Sequence, residues 1–258
     1  MQTVRHIARR VRKGIRNLPN LARGYNLYVD REKLDLIART FTNVRKGADS
    51  FADLGAVWKV NAGYTFFTLN NFFITRGYIV DTHFTDVVNR KVAAAGNLTK
   101  IQANFGTDDV AKKIGHVDVV FLFDVLLHQV NPHWDEVLRK YSSVTDCFVI
   151  FNQQYVKSDT TFRLTGLSLE DYKAIVPMPR HELYEFIYAH KDDLNEEHNR
   201  RWIDIPDIFQ WAITDPDLRS VLSRLGFKEA YYKNCGPFSS STEFENHAFI
   251  FVKTATSS

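Results

Sequence analysis

The chain has 258 residues, 45% apolar and 24% charged, enough for one large core or two small ones without covalent staples. Its two cysteines are too few for a disulfide framework or a metal knuckle, no apolar run approaches the roughly 18 residues that span a bilayer, and no hydrophobic secretory segment opens the chain. The net charge of +3 is uneven: Arg5, Arg9, Arg10, Arg12, Lys13, Arg16 and Arg23 precede any acid, so the body is mildly acidic and a poor ligand for nucleic acid.

In chain order, residues 1–24 come first and place Val4, Ile7, Val11, Ile15 and Leu18 at steps of three and four, one apolar helical stripe between basic faces. Three readings stand side by side: a helix docked on the domain or on a second copy of the chain, a helix on an anionic membrane surface, and an organellar presequence. "DREKLDLIARTFTNVRKG" predicts a second amphipathic helix, so a helical extension over 1–48 precedes a domain over 49–258. A cytoplasmic setting, peripheral to a membrane if the basic helix binds one, is the expectation.

From Ser50 short apolar runs alternate with amphipathic stretches, the pattern of strand–helix units around a mostly parallel sheet. "SFADLGAV", "YIVDT", "LTKIQANFG", "VDVVFLFDVLL" and "CFVIFNQQY" read as strands one to five. Between them "YTFFTLNNFFITRG", "FTDVVNRKVAAAG", "DDVAKKIG" and "HWDEVLRKYSSV" read as helices, the first two with glycine stops at Gly77 and Gly96. "SLEDYKAIVP" and a polar helical insertion over about 179–201 follow. Then "DIFQWAITDPDLRSVLSRLG" reads as one helix, leading to a closing pair of strands, "FKEAYYKN" and "ENHAFIFVK". The expected class is α/β, a doubly wound Rossmann-like sheet with a closing antiparallel strand.

In such sheets ligands lie beyond the carboxyl ends of the strands, beside strand one. Asp53 and Gly55 fall at that edge: Gly55 permits close backbone approach, and Gly63 lets the next helix pack near its strand. Asp81, at the end of strand two, can accept both hydroxyls of a ribose. A nicotinamide dinucleotide needs bare glycines against its pyrophosphate, an approach that Trp58 and Val60 would crowd.

With "FADLGAVWKVNAGY", "YIVDT", "IQANFG" and "VDVVFLFDVLLHQV" in this order, the chain resembles the class I S-adenosylmethionine-dependent methyltransferases over roughly residues 50–154. The family's first motif, acid-x-Gly-x-Gly-x-Gly, is altered here, with Ala56, Val57 and Trp58 in the loop, an unusual Lys59, and Gly55 and Gly63 far apart. The resemblance implies S-adenosylmethionine as cofactor: Asp53 and Gly55 at its methionine end, Asp81 at the ribose, Asn104 and Phe105 at the adenine, and Asp124 at the far end of the pocket. Ala56, Asn61, Gly63 and Thr82 complete the expected set. This cofactor carries no phosphate, so a loop with side chains can shape its methionine end.

Methyl transfer to a hydroxyl calls for a base near neutrality. "FDVLLHQVNPHWDEVL" looks like the histidine-bearing stretch of small-molecule O-methyltransferases, with His128 matching best and His133 competing. Asp124 and Asn152, with Gln153 and Gln154, are a thin set for a hard cation, and no metal is expected. The acceptor is expected to be a small polar molecule, a sugar, glycan or natural product, recognised from among Tyr25, Tyr28, Tyr155, His181, Tyr184, His198, Trp202 and His247, most of them ordinary packing or surface residues. The rival readings are an NAD(P)-dependent oxidoreductase and a non-catalytic, membrane-tethered interaction module.

Overall fold

A computed structural model describes residues 28–177, 181–239 and 241–254. The basic helix expected over residues 1–24, Tyr25 and the start of the insertion at Pro179 lie outside the described residues, as does the side chain of His181.

Helix α1 (Arg31–Arg39) begins where the Asp30 carboxylate accepts the Glu32 amide at 3.0 Å. It widens into a π turn over Thr40–Val44, and the chain reverses through Gly47 at φ +83°. Then strand and helix alternate: β1 (Ser50–Leu54), α2 (Gly63–Asn71), β2 (Arg76–Asp81), α3 (Asp86–Ala94), β3 (Leu98–Gln102), α4 (Asp108–Ile114), β4 (Val119–Phe123), α5 (Trp134–Ser142) and β5 (Cys147–Tyr155). An insertion holds β6 (Phe162–Arg163), α6 (Leu169–Ile175), α7 (His181–Ala189), β7 (Leu194–Asn195), β8 (Arg200–Arg201) and β9 (Trp211–Ala212). It is followed by α8 (Asp215–Arg224), β10 (Phe227–Pro237) and β11 (Phe244–Lys253).

The seven long strands form one sheet in the order β10-β11-β5-β4-β1-β2-β3. The pairs among β1 to β5 are parallel, and β11 runs antiparallel to both its neighbours. Every residue of β1 and β4 is buried, because helices cover both faces and each strand feeds two cores by alternation. Ala52, Leu54, Val120, Leu122, Phe148 and Ile150 face one core, while Phe51, Val119, Phe121, Phe123, Val149 and Phe151 face the other. The order reverses between β1 and β4, which sets a crevice at their carboxyl ends.

Three local expectations change. Gly77 is no helix stop: α2 ends at Asn71, and Gly77 lies inside β2, where an added Cβ would meet Leu98 at 3.0 Å and Phe51 at 3.1 Å. The stretch from Asp207 is not one helix. Residues Trp211–Ala212 pair with Phe162–Arg163, and the helix starts only at Asp215, where Pro216 fits the first turn. Gln210 fixes the extended part, donating from Nε2 to the Ile203 and Ile205 carbonyls at 3.0 and 2.8 Å. The polar insertion is helical only in α7, after which the chain forms the small β7–β8 hairpin.

Candidate functional site

The crevice is built from the first residues after each strand. Gly55, directly after β1, adopts φ +74° and donates its amide to the Val80 carbonyl at 2.9 Å. A Cβ there would stand 2.7 Å from Val125 Cγ1 and 3.7 Å from Phe105, so glycine is required both by conformation and by space. The loop to α2 folds on itself: the Asn61 and Ala62 amides donate to the Val57 and Ala56 carbonyls at 2.9 and 3.1 Å. Lys59, Asn61 and Ala62 all take positive φ. Ala56 and Val57 turn into the core, while Trp58 is 69% exposed with the Lys59 ammonium 3.8 Å above its ring. The tryptophan therefore packs outward under the Lys59 ammonium, whose charge also reaches His128. Asn61 accepts from Thr85 Oγ1 at 3.0 Å, and Gly63 opens α2 against Val29, whose Cγ2 a Cβ would approach to 2.5 Å.

Asp81 ends β2 half-buried. Its Oδ2 accepts the Val57 amide at 2.8 Å, whereas Oδ1 has only a long contact from the His83 amide at 3.4 Å, leaving capacity for further donors. Thr82 beside it is exposed, its carbonyl taking Gln102 Nε2 at 3.3 Å. Beyond β3, Asn104 Oδ1 accepts the Gly106 amide at 2.8 Å, and Phe105 is held through its carbonyl by Tyr141 Oη at 2.7 Å.

Asp53, expected at the methionine end of the cofactor, is a closed carboxylate. It is 1% exposed, under the first turn of α2, with Oδ2 accepting Thr65 Oγ1 at 2.6 Å. Burial pushes its pKa from 3.8 up to about 7, against the Thr65 hydrogen bond and with help from the charge of Asp81. The folded state thus favours the protonated acid, a stabilisation fully present below pH 3.8 and lost as pH rises through about 7. Asp53→Asn should flatten this dependence, so the melting temperature of the parent chain falls more steeply than that of the variant across the window. Parallel melting curves would remove the burial argument.

After β4, Asp124 stands at φ +57°, a left-handed conformation uncommon for a non-glycine residue though less so for Asp. Gln153 Nε2 donates to its Oδ1 at 2.6 Å, and the Lys33 ammonium of α1 pairs with its Oδ2. Lys33 is 6% exposed. Burial alone favours the neutral amine, but Asp124, with Tyr64 and Asp30, outweighs it and holds the lysine above its ordinary range. Lys33 was not among the sequence candidates, although it lies four residues before Ile37 on the buried face of α1, a signal that could have marked it.

His128 ends the short turn Leu126–His128 after β4, half-buried against Phe209. Its Nδ1 lies 2.8 Å from the Ile208 carbonyl, which can only accept, so Nδ1 carries the proton and Nε2 bears the free lone pair. Burial lowers its pKa below the ordinary 6.5, with the Ile208 carbonyl and Asp124 opposing. His133 instead caps α5: its amide donates to Glu136 Oε2 at 2.8 Å and its ring stands edge-on to Trp211 at 4.9 Å.

The described acceptor candidates differ in their surroundings. Tyr28 is 64% exposed, Tyr184 packs on Tyr172, Trp202 on Phe186 and Tyr155 on Phe162 and Phe244. His198 pairs with Asp207 at 3.1 Å, and His247 with Asp215 at 2.8 Å. At the end of β5, Asn152 Oδ1 and both terminal atoms of Gln154 are buried with no partner from the protein. A groove of about 320 Å³ between α1 and the β10–β11 pair, lined by Glu32, Asp35, Arg39, Tyr231 and Lys233, shares no residue with the crevice. Among the described residues, no group of three or more His, Cys, Asp or Glu is arranged to hold a metal ion, and no helix is long and apolar enough to cross a membrane.

No family model matches the chain, and no curated protein matches its sequence. Solved structures do match. The N-terminal domain of EvdMO1, determined with S-adenosylhomocysteine and D-fucose, is 14% identical and aligns over 87% of this chain and 84% of its own, with a TM-score of 0.56. The 1,6-didemethyltoxoflavin-N1-methyltransferase of Burkholderia thailandensis, with its substrate and S-adenosylhomocysteine bound, is 13% identical over 96% of this chain and 89% of its own, TM-score 0.54. The magnesium protoporphyrin IX methyltransferase of Synechocystis PCC 6803 is 14% identical over 87% and 83%, TM-score 0.51. The fold is therefore that of an α/β protein with a Rossmann-like sheet. Within that class it is the fold of the class I S-adenosylmethionine-dependent methyltransferases, which the sequence motifs resemble.

Proposed function

We propose that this chain is an S-adenosylmethionine-dependent methyltransferase that methylates a hydroxyl of a small polar acceptor, a sugar, glycan or natural product. The observation that carries the reading is the tautomer of His128: with Nδ1 committed to the Ile208 carbonyl, Nε2 is an unprotonated acceptor beside Asp124. The residues present fit the cofactor. Gly55 offers bare backbone where a Cβ would collide, and Asp81 keeps accepting capacity at Oδ1, beyond the long contact from the His83 amide, for ribose hydroxyls. When bound, S-adenosylmethionine supplies a methyl group on a sulfonium, ready for in-line displacement. The chain itself positions and excludes water: Phe105 walls the crevice, and the loop over 55–62 closes its floor. His128 Nε2 takes the acceptor's proton while Nδ1–H stays on Ile208, so the ring keeps its orientation as it becomes charged. The unpartnered Oδ1 of Asn152 and terminal atoms of Gln154 support an acceptor with several hydroxyls.

Calorimetry with S-adenosylhomocysteine and, separately, NAD tests the reading. Binding of the first alone is expected, weakened about 10- to 100-fold in Asp81→Asn, as for loss of hydrogen bonds to a charged group. Folded protein that ignores S-adenosylhomocysteine, or that takes NAD, overturns it. Mass spectrometry of an extract incubated with an isotopically labelled methyl donor then identifies the acceptor. Membrane contact through residues 1–24 is a separate proposal, checked by vesicle binding with and without that segment.

A further inference from the structure

We infer that Lys33 is a positioning residue: its ammonium fills a cation cage formed by Asp124, Tyr64, Phe123 and Phe151, and through that cage sets the Asp124 carboxylate that faces the crevice. The Lys33 Nζ lies 5.3 Å from the ring centroid of Tyr64, 5.8 Å from Phe123 and 4.9 Å from Phe151, with Asp124 Oδ2 as its counter-ion. Three aromatic faces and a carboxylate are the elements that recognise an organic cation, and here a residue of the same chain occupies them.

The pair straddles the boundary of the site. The Lys33 side chain is 7% exposed and that of Asp124 38%, so the lysine grips one oxygen from inside while part of the carboxylate stays exposed. Gln153 holds the other oxygen and is itself tied to Asn246 Oδ1 at 3.2 Å. Together these contacts hold Asp124 at its positive φ. Leaving Asp124 without its buried cation would free the carboxylate to relax outward. Lys33 arrives on α1, which is fastened at the same place: the Asp30 amide donates to Tyr64 Oη at 2.9 Å, and Val29 packs on Gly63. The titratable groups around the ammonium are Asp124, Tyr64 and Asp30, with Asp53 also within its electrostatic reach.

The positioning role rests on the cofactor reading above, whereas the cage does not. Lys33→Ala removes three carbons and the ammonium, the shape of n-propylammonium. We expect n-propylammonium chloride, against sodium chloride at equal ionic strength, to raise the melting temperature of Lys33→Ala and to leave unchanged both the parent chain and the double variant Lys33→Ala/Asp124→Asn. Affinity for S-adenosylhomocysteine should fall about 10- to 100-fold in Lys33→Ala and in Lys33→Met, and n-propylammonium should restore it in the first. A folded Lys33→Ala that binds S-adenosylhomocysteine like the parent, or that does not respond to n-propylammonium, overturns the inference. If Lys33→Ala does not fold, parent-like binding by folded Lys33→Met overturns it. If the parent itself does not bind S-adenosylhomocysteine, the cofactor reading and the positioning role fall together, and the melting temperatures still decide the cage.

Discussion

His128→Asn is expected to lower turnover by about 100- to 10,000-fold, the range of a lost general base, with affinity for S-adenosylhomocysteine unchanged. Asparagine can still donate to the Ile208 carbonyl, which His128 holds at 2.8 Å, so the variant removes the lone pair of Nε2 while keeping the anchor. The pH profile separates base from spacer. Burial sets the His128 pKa below 6.5, so the parent chain should hold its rate through neutrality and lose it only on acidification, as the imidazole protonates. The variant should lack that limb. The same depressed pKa contributes stability that is present above pH 6.5 and lost as pH falls through the folded value. Turnover that is equal in variant and parent removes His128 as the base and leaves His133, on its helix cap, as the remaining candidate.

The second large effect is expected at Gly55→Ala. The added Cβ would meet Val125 Cγ1 at 2.7 Å while the backbone holds φ +74°. A left-handed conformation costs an L-residue about 1–2 kcal/mol, and overpacking adds about 1–3 kcal/mol. Urea unfolding should show a loss of about 2–5 kcal/mol from these two terms, and affinity for S-adenosylhomocysteine should disappear as the methyl enters the crevice. Adding Val125→Ala should recover the packing part alone, because it removes the colliding methyl groups and leaves the dihedral strain. A Gly55→Ala chain as stable as the parent, with full affinity, would show that the backbone at this turn moves freely.

The sheet was legible in the sequence because its strands are buried on both faces and read as uninterrupted apolar runs, "VVFLF" for β4 being an example. The glycines were legible in position and less so in purpose. Gly55 turns the chain as expected, but Gly77 serves the approach of Leu98 and Phe51 inside a strand, a contact between residues far apart in sequence. "QWAIT" carries an apolar pattern that suits a helix, and only its pairing with Phe162–Arg163 and the hydrogen bonds of Gln210 make it extended.

The order of strands and helices, the acids at strand ends and a histidine after β4 were determined by the sequence alone, since periodicity and turn residues are local properties. Which of those groups are open and which are spent was decided only by the tertiary structure. Asp53 is closed beneath α2, Asp81 keeps an oxygen with spare accepting capacity, Asp124 is gripped by a lysine 91 residues earlier, and the tautomer of His128 is set by a carbonyl 80 residues later. Charge state and hydrogen-bond direction depend on neighbours that folding brings together, and no spacing within a motif encodes them.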